Sequence, residues 1–199
     1  EKSGLISRLD RYIWEQAAAK LGEWKKVGIN MSISVNISPK DFYYIDIFNT
    51  FAGLVKKYDI EPSNLKIEIT ETTIMSDVPN LMGELEELRK AGFTIEMDDF
   101  GSGYSSLNTL KDINVDVLKV DMGFIKETKN VKKSRIILAS VIKMAKELNL
   151  LIITEGVETE EQVDNLTKLG CDIFQGYYFS KAIDVNEFEK RYLYRKKAG

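Results

Sequence analysis

The chain has 199 residues, with 28 Lys and Arg against 31 Asp and Glu, for a formal net charge of −3. That length suffices for one domain with a substantial core, and the negative balance offers no basic surface for duplex nucleic acid. The absence of histidine excludes imidazole acid–base catalysis, Ser-His and Cys-His triads and histidine metal sites. Cys171 is the single cysteine, so no internal disulfide forms, which points to a reducing, cytoplasmic compartment. No apolar stretch approaches transmembrane length, and the chain does not open as a signal peptide. A start at Glu1 rather than Met suggests a piece of something longer.

In chain order, Ser3–Trp24 reads as an amphipathic helix, with Leu5, Leu9, Ile13, Ala17 and Leu21 recurring every four residues along one face. Trp14 and Trp24 read as packing residues. Met31–Ile37 alternates and is β-branched, a strand ending near Asn36. A helix over Phe48–Tyr58 carries Phe51, Leu54, Val55 and Tyr58 as its apolar stripe, and Pro62 breaks the chain. Leu65–Thr70 is the next strand, with Glu68 near its end and Glu71 just past it. Pro79–Lys90 is a helix with Leu81, Leu85 and Leu88 inward, stopped by Gly92.

The third strand runs into Asp98 and Asp99, and a short helix is predicted near Ser105–Lys111. Val115–Val120 is a strand with Lys119 close to its end. A long helix over Lys132–Leu148 turns Ile136, Ile137, Val141 and Met144 inward. Leu150–Thr154 is a continuous apolar strand ending at Glu155-Gly156. Thr159 caps the following helix, with Gln162 three residues on as a capping box. Val163, Leu166 and Leu169 face the core, and Gly170 stops the helix. Asp172–Phe179 is the last strand, with Gln175-Gly176 inside it, and an amphipathic piece over Val185–Tyr194 closes the chain.

Strands alternating with helices make a parallel sheet of βα units. Six such strands leave a (β/α) barrel or a doubly wound sheet. Asn36, Glu68, Asp98, Asp99, Lys119, Glu155 and Gln175 all fall at or near the C-terminal ends of successive strands. A barrel gathers such ends around one mouth, where active sites sit. An open sheet spreads them along an edge. The barrel therefore accounts for the repetition, but a complete one needs eight strands and about 250 residues, so the expectation is six units of eight, with two strands preceding Glu1.

The stretch Thr94–Ser106 carries the densest chemistry: an apolar strand, two adjacent carboxylates, then a Gly- and Ser-rich loop. Adjacent strand residues point to opposite sides, so a bend after Phe100 is what lets Asp98 and Asp99 address one ligand. Two neighbouring carboxylates repel unless a cation lies between them. Taken alone, the Asp pair equally fits an acidic surface turn. Lys119, on an apolar strand, needs a partner if it is buried.

Several motifs together carry a resemblance. Ser3-Gly4-Leu5-Ile6 with Leu9-Asp10, Val35-Asn36-Ile37-Ser38, and Glu68-Ile69-Thr70-Glu71 come first. Asp98-Asp99-Phe100-Gly101-Ser102-Gly103-Tyr104-Ser105-Ser106, Lys119-Val120-Asp121, Glu155-Gly156-Val157-Glu158-Thr159 and Gln175-Gly176-Tyr177-Tyr178-Phe179 follow in order. In these the chain resembles EAL domains, the bacterial phosphodiesterases that linearise cyclic di-GMP. The resemblance implies a TIM-like barrel over residues 1–199, a single EAL-type domain lacking its first two strands. The Glu-Ala-Leu signature is absent, and with it one metal-binding Glu and a phosphate-holding basic residue. Ser102 stands where Thr is usual and keeps the hydroxyl; Asp41 and Ala182 stand where Gln and Pro are common.

By the same resemblance, Asn36, Glu68 and Asp98 would hold one Mg²⁺ or Mn²⁺, with the absent upstream Glu completing the set, and Asp98 would bridge to a second ion held also by Asp99. Hard oxygen donors suit these cations. Lys119 would orient the attacking water, and Glu155 would be the general base or an indirect ligand of the second ion. Gln175 would lie near the substrate, and Glu71 and Ser102 would position the Phe100–Ser106 loop. Cyclic di-GMP is the implied ligand, a homodimer through Ser102–Val115 the implied assembly, and upstream sensory or cyclase domains the implied neighbours, with no membrane segment in this chain. A non-catalytic cyclic di-GMP receptor and a metal-dependent barrel enzyme that stabilises an enolate compete with this reading. Without the signature strand, residues 1–199 alone are expected to be inactive and to expose strand edges near Ser32–Ile37 and Asp172–Phe179.

Overall fold

The computed structural model describes residues 2–76, 78–101, 110–111, 113–121, 123 and 131–194. The predicted helix near Ser105–Lys111 therefore lies outside the described residues, apart from Leu110 and Lys111, which are helical. Six strands form one sheet: β1 (Ile33–Asn36), β2 (Leu65–Thr70), β3 (Ile95–Phe100), β4 (Val117–Asp121), β5 (Leu151–Glu155) and β6 (Ile173–Phe174). Their spatial order is their chain order, and every neighbouring pair is parallel. A doubly wound sheet reverses its order at a switch point. A sheet that adds each new strand on the same side is curling as a barrel does, and this one is a six-stranded half-barrel.

Alternation along the strands separates two environments. On β2, Leu65, Ile67 and Ile69 are fully buried beneath the helical layer, whereas Lys66, Glu68 and Thr70 face the other side and are half-buried. On β4, Leu118 and Val120 take the outer side, while Val117, Lys119 and Asp121 face inward. Period-2 alternation within parallel strands is what distinguishes the barrel interior from the helix-covered face.

The helices are α1 (Lys2–Lys26), α2 (Pro39–Tyr44), α3 (Ile47–Tyr58), α4 (Glu71–Ile74), α5 (Leu81–Lys90), α6 (Val131–Glu147), α7 (Glu160–Leu169) and α8 (Val185–Phe188), the last running into a π-helical turn at Glu189–Leu193. Short α2 and α4, which directly follow β1 and β2, escape sequence periodicity because they offer only one turn or so. The Thr159–Gln162 capping box of α7 is present, and Gly170 ends that helix at φ 96°. Leu81, Leu85 and Leu88 are buried as their spacing predicts, each contributing about 1.5–3 kcal/mol. Trp14 stacks obliquely on Phe51, whose edge meets Phe93, with centroids 5.1 and 5.8 Å apart. Among the described residues no helix is long and apolar enough to cross a membrane.

Three expectations are corrected. In α1 the buried face is Ser7, Trp14, Ala17, Ala18, Leu21 and Trp24, so Ala17 and Leu21 are inward as expected, while Leu5, Leu9 and Ile13 are exposed. A spacing of four residues drifts around a 3.6-residue helix, so Leu5 and Leu21 lie about 160° apart and share no face. In α6 the inward residues are Ser134, Leu138, Ile142 and Ala145, with Val141 and Met144 half-buried and Ile136 and Ile137 exposed. The run Ile136-Ile137-Leu138 permits either phase, and packing on β5 selects one. The last strand is two residues long rather than eight. Gln175 and Gly176 follow it in a turn whose backbone pairs with Val157, through Val157 N–H to Gln175 O and Tyr178 N–H to Val157 O.

That turn requires glycine at 176. A Cβ there would lie 2.0 Å from Val157 O and 2.4 Å from Val157 N. Backbone atoms on adjoining elements cannot yield as a side-chain tip does. Gly176→Ala should therefore cost about 2 kcal/mol or more, lowering Tm by roughly 4–8 °C. Gly53, inside α3 with nothing within 4 Å of its added Cβ, is the control: Gly53→Ala should raise stability by about 0.5–1 kcal/mol. Thermal melts of both variants, monitored by circular dichroism, check the pair.

Candidate functional site

The strand ends converge on Lys119. Its side chain is 4 % exposed, and its Nζ lies 2.8 Å from Glu68 Oε1, 3.0 Å from Glu155 Oε1 and 3.3 Å from Asp98 Oδ1. These residues come from β2, β3, β4 and β5, each from an inward-facing position within two residues of its strand's end. Asn36 completes the row as the last residue of β1, paired in register with Glu68. The Trp14 indole N–H donates to Asn36 O at 3.0 Å and so ties that strand end to α1.

The electrostatics follow from burial and crowding. Burial opposes the Lys119 charge, but Glu68 and Glu155 outweigh it, and the ammonium is held well above its ordinary range. Burial raises Glu68; the Lys119 ammonium counters this, and the charges of Asp98 and Glu96 add to the rise. Burial also lifts Glu155, against Lys119 and with Asp98, to about 7. A carboxyl near 7 is suited to taking a proton from water at neutral pH.

Asp98 and Asp99 diverge by a different route from the expected one. Between Met97 and Phe100 the pairing with β4 slips by one residue, a bulge centred on the Asp pair itself. The strand continues to Phe100, so the bend precedes that residue rather than following it. Asp99 takes φ 56°, a left-handed conformation that Asp tolerates better than most residues, and its N–H donates to Asp98 Oδ1 at 2.9 Å. Asp98 thereby keeps its inward place while Asp99 is exposed at the mouth. Burial raises the Asp99 carboxyl, and Asp98 and Asp121 raise it further.

Asp121 is the functional candidate that sequence reasoning did not single out. It is the last residue of β4, two beyond Lys119, and pairs in register with Glu155. Alternation from Lys119 was the available signal. Beside it lies a cleft of about 540 Å³ whose lining includes Asp121, Glu155, Glu158, Gln175, Tyr177 and Lys181. Gln175 is exposed there, held by its N–H to Thr154 O. Glu71 begins α4 and is buried. Ser102 lies outside the described residues, as does most of the loop Glu71 was expected to position and most of the Ser102–Val115 segment expected to form a dimer.

The donor set suits a hard divalent cation. Asn36, Glu68, Asp98 and Asp99 offer only oxygen. Glu68, Asp98, Asp99 and Glu155 outnumber the one ammonium among them, so carboxylate charge is left over for metal. Among the described residues no three acidic side chains already enclose a metal-sized space; the Lys119 ammonium is what Glu68, Asp98 and Glu155 converge on.

Comparison with known proteins agrees with this geometry. The EAL domain family model matches residues 1–182. The bifunctional diguanylate cyclase/cyclic di-GMP phosphodiesterase MucR of Pseudomonas aeruginosa is 35 % identical over 188 residues, covering 94 % of this chain and 27 % of that protein. A MucR phosphodiesterase structure in complex with c-di-GMP superposes with a TM-score of 0.85 at 34 % identity, over 94 % of this chain and 76 % of that one. A manganese/cy-diGMP complex of Klebsiella pneumoniae BlrP1 gives 0.79 at 29 % identity, over 88 % of this chain and 44 % of that one. This chain spans about a quarter of the length of such curated relatives. With the strand order, the Lys119-centred ring and the match over most of its length in agreement, the chain belongs to the EAL domain family.

Proposed function

We propose that this chain is part of a cyclic di-GMP phosphodiesterase that yields linear pGpG. The observation that supports it most is the ring itself: Asn36, Glu68, Asp98, Lys119 and Glu155 on five successive strands, with its three carboxylates within 3.3 Å of one ammonium. Asn36, Glu68 and Asp98 would hold one Mg²⁺ or Mn²⁺, and Asp98 with Asp99 a second. Such ions, when bound, supply an activated water and neutralise charge developing on the phosphate oxygens.

The chain's own residues do the rest. Lys119 orients the attacking water and offsets negative charge around the phosphate. Water oxygen attacks phosphorus and the ester P–O bond opposite breaks; Glu155 takes the water's proton unless it serves as an indirect ligand of the second ion, and the leaving ribose oxygen gains a proton from solvent to become the free hydroxyl of the linear product. Gln175, at the cleft, contacts the dinucleotide. Glu71 positions the loop that carries Ser102. The parent protein is proposed to be cytoplasmic, to place sensory or cyclase domains upstream, and to dimerise through the Ser102–Val115 segment.

A receptor without turnover is the second reading. The acidic groups kept at the ends of the strands present here favour hydrolysis over it, since binding alone needs no proton acceptor at the strand ends. The experiment is Mn²⁺-dependent conversion of cyclic di-GMP followed by chromatography, on a chain long enough to carry the whole family barrel. Linear pGpG supports the proposal; binding without product overturns it in favour of a receptor.

Asp98→Asn in the same protein should lower turnover at least ~100-fold, because even outer partners of metal ligands cost 10–100-fold when removed; near-normal turnover with metal still required would refute the bridging assignment. Lys119→Met should destabilise the metal-free protein by about 3 kcal/mol in urea titrations, as three half-buried carboxylates lose their cation. Added Mn²⁺ should recover part of that loss, which a purely structural lysine would not allow.

A further inference from the structure

One pleat below the ring lies a second polar layer. Glu96, on β3, is 1 % exposed. Its Oε2 accepts from Ser34 Oγ on β1 at 2.9 Å, and its Oε1 from Lys66 Nζ on β2 at 3.0 Å. One carboxylate thus joins three strands across the barrel interior. Each of its members stands two residues before a ring residue: Ser34 before Asn36, Lys66 before Glu68, Glu96 before Asp98.

The two layers also climb in the same way. By register Glu96 sits beside Glu68, and Asp98 beside Thr70. Lys66 therefore reaches diagonally up to Glu96, and Glu68 and Asp98 are likewise offset by two residues where they meet at Lys119. A crosslink at the lower layer sets how far β1, β2 and β3 slide past one another. That displacement fixes the relative heights of Asn36, Glu68 and Asp98 one pleat higher. A buried carboxylate with two partners is costly to move, because any shift leaves charge unsatisfied away from water.

We infer that Ser34, Lys66 and Glu96 form a three-strand clamp that positions Asn36, Glu68 and Asp98 for a divalent cation. The inference rests on the metal assignment above and adds positioning residues to it. None of the three touches the reacting groups; the clamp acts through the backbone of the strands it joins.

The clamp and a simple charge effect predict opposite signs. Removing the Lys66 cation from beneath an acidic site would tighten Mn²⁺ binding, or leave it unchanged, if only charge mattered. Loss of the clamp loosens the ligands and weakens binding. The experiment is Mn²⁺ titration of a chain long enough to carry the whole family barrel, read by electron paramagnetic resonance of free Mn²⁺, at a temperature well below the melting of every variant. Lys66→Met should raise Kd by about 10–100-fold, the range for residues that orient metal ligands. Ser34→Ala, which alters no charge and serves if Lys66→Met does not fold, should raise Kd by a smaller factor in the same direction. A merely structural role would lower Tm and leave Kd unmoved. Unchanged or tighter binding in the variants, with wild-type binding intact, overturns the clamp and spares the metal site. Absence of Mn²⁺ uptake by the wild-type chain overturns both.

Discussion

A lysine whose side chain is 4 % exposed keeps its charge inside a protein only while anions surround it, because the bare ammonium would give up its proton or the fold would open. Lys119 holds three carboxylates, and they hold it. Removing one partner from such a cluster strands the others, so β2, β3, β4 and β5 are bound electrostatically at the level where their hydrogen-bonded pairing ends. The strand ends are consequently crowded in charge and tied to one another by the same ion pairs. A site that must present acidic oxygens to a cation benefits from both.

The carboxylates crowd because of sheet geometry. Successive parallel strands in chain order bring each inward C-terminal residue beside the next, and alternation sends their neighbours outward into the apolar layer. At β3 the bulge adds one residue without breaking that rule on either side. Met97 and Phe100 remain buried, Asp98 remains inward, and Asp99 is released toward the mouth. An unbulged strand would have sent Asp99 into the apolar layer under the helices, where an ionised carboxylate is not tolerated.

Below the ring, the interior is polar for a second layer through Ser34, Lys66 and Glu96. Barrel interiors are usually filled by branched apolar side chains, and here Val117 and Ile153 supply that on β4 and β5. The polar half and the apolar half divide along the sheet: β1 to β3 carry the hydrogen-bonded layer, β4 and β5 the aliphatic one. Beyond β6 the turn at Gly176 fits against the Val157 backbone so closely that Gln175 and the cleft beside Glu155 are placed by main chain rather than by side-chain packing.

Much of this was legible in the residues. Alternation and apolar runs located all six strands, spacing placed α3, α5 and α7 with their buried stripes, and Asn36, Glu68, Asp98, Lys119 and Glu155 stood out as polar residues closing apolar strands. Those signals are local, since a strand's faces and a cap's hydrogen bonds depend on a few neighbouring residues. In α1 the 3.6-residue repeat already denies Leu5 and Leu21 a common face. Tertiary structure alone decided the phase of α6, because Ile136 is as apolar as the residues that are buried and only the elements packed against a helix choose its inward side. It alone decided that the bulge falls on the Asp pair, since the slip is a relation between β3 and β4 and neither strand encodes it singly. And it alone showed that Lys119 serves three carboxylates at once and that Glu96 ties together three strands, because both groups draw their partners from segments dozens of residues apart, and distances of that kind are set by the curl of the sheet.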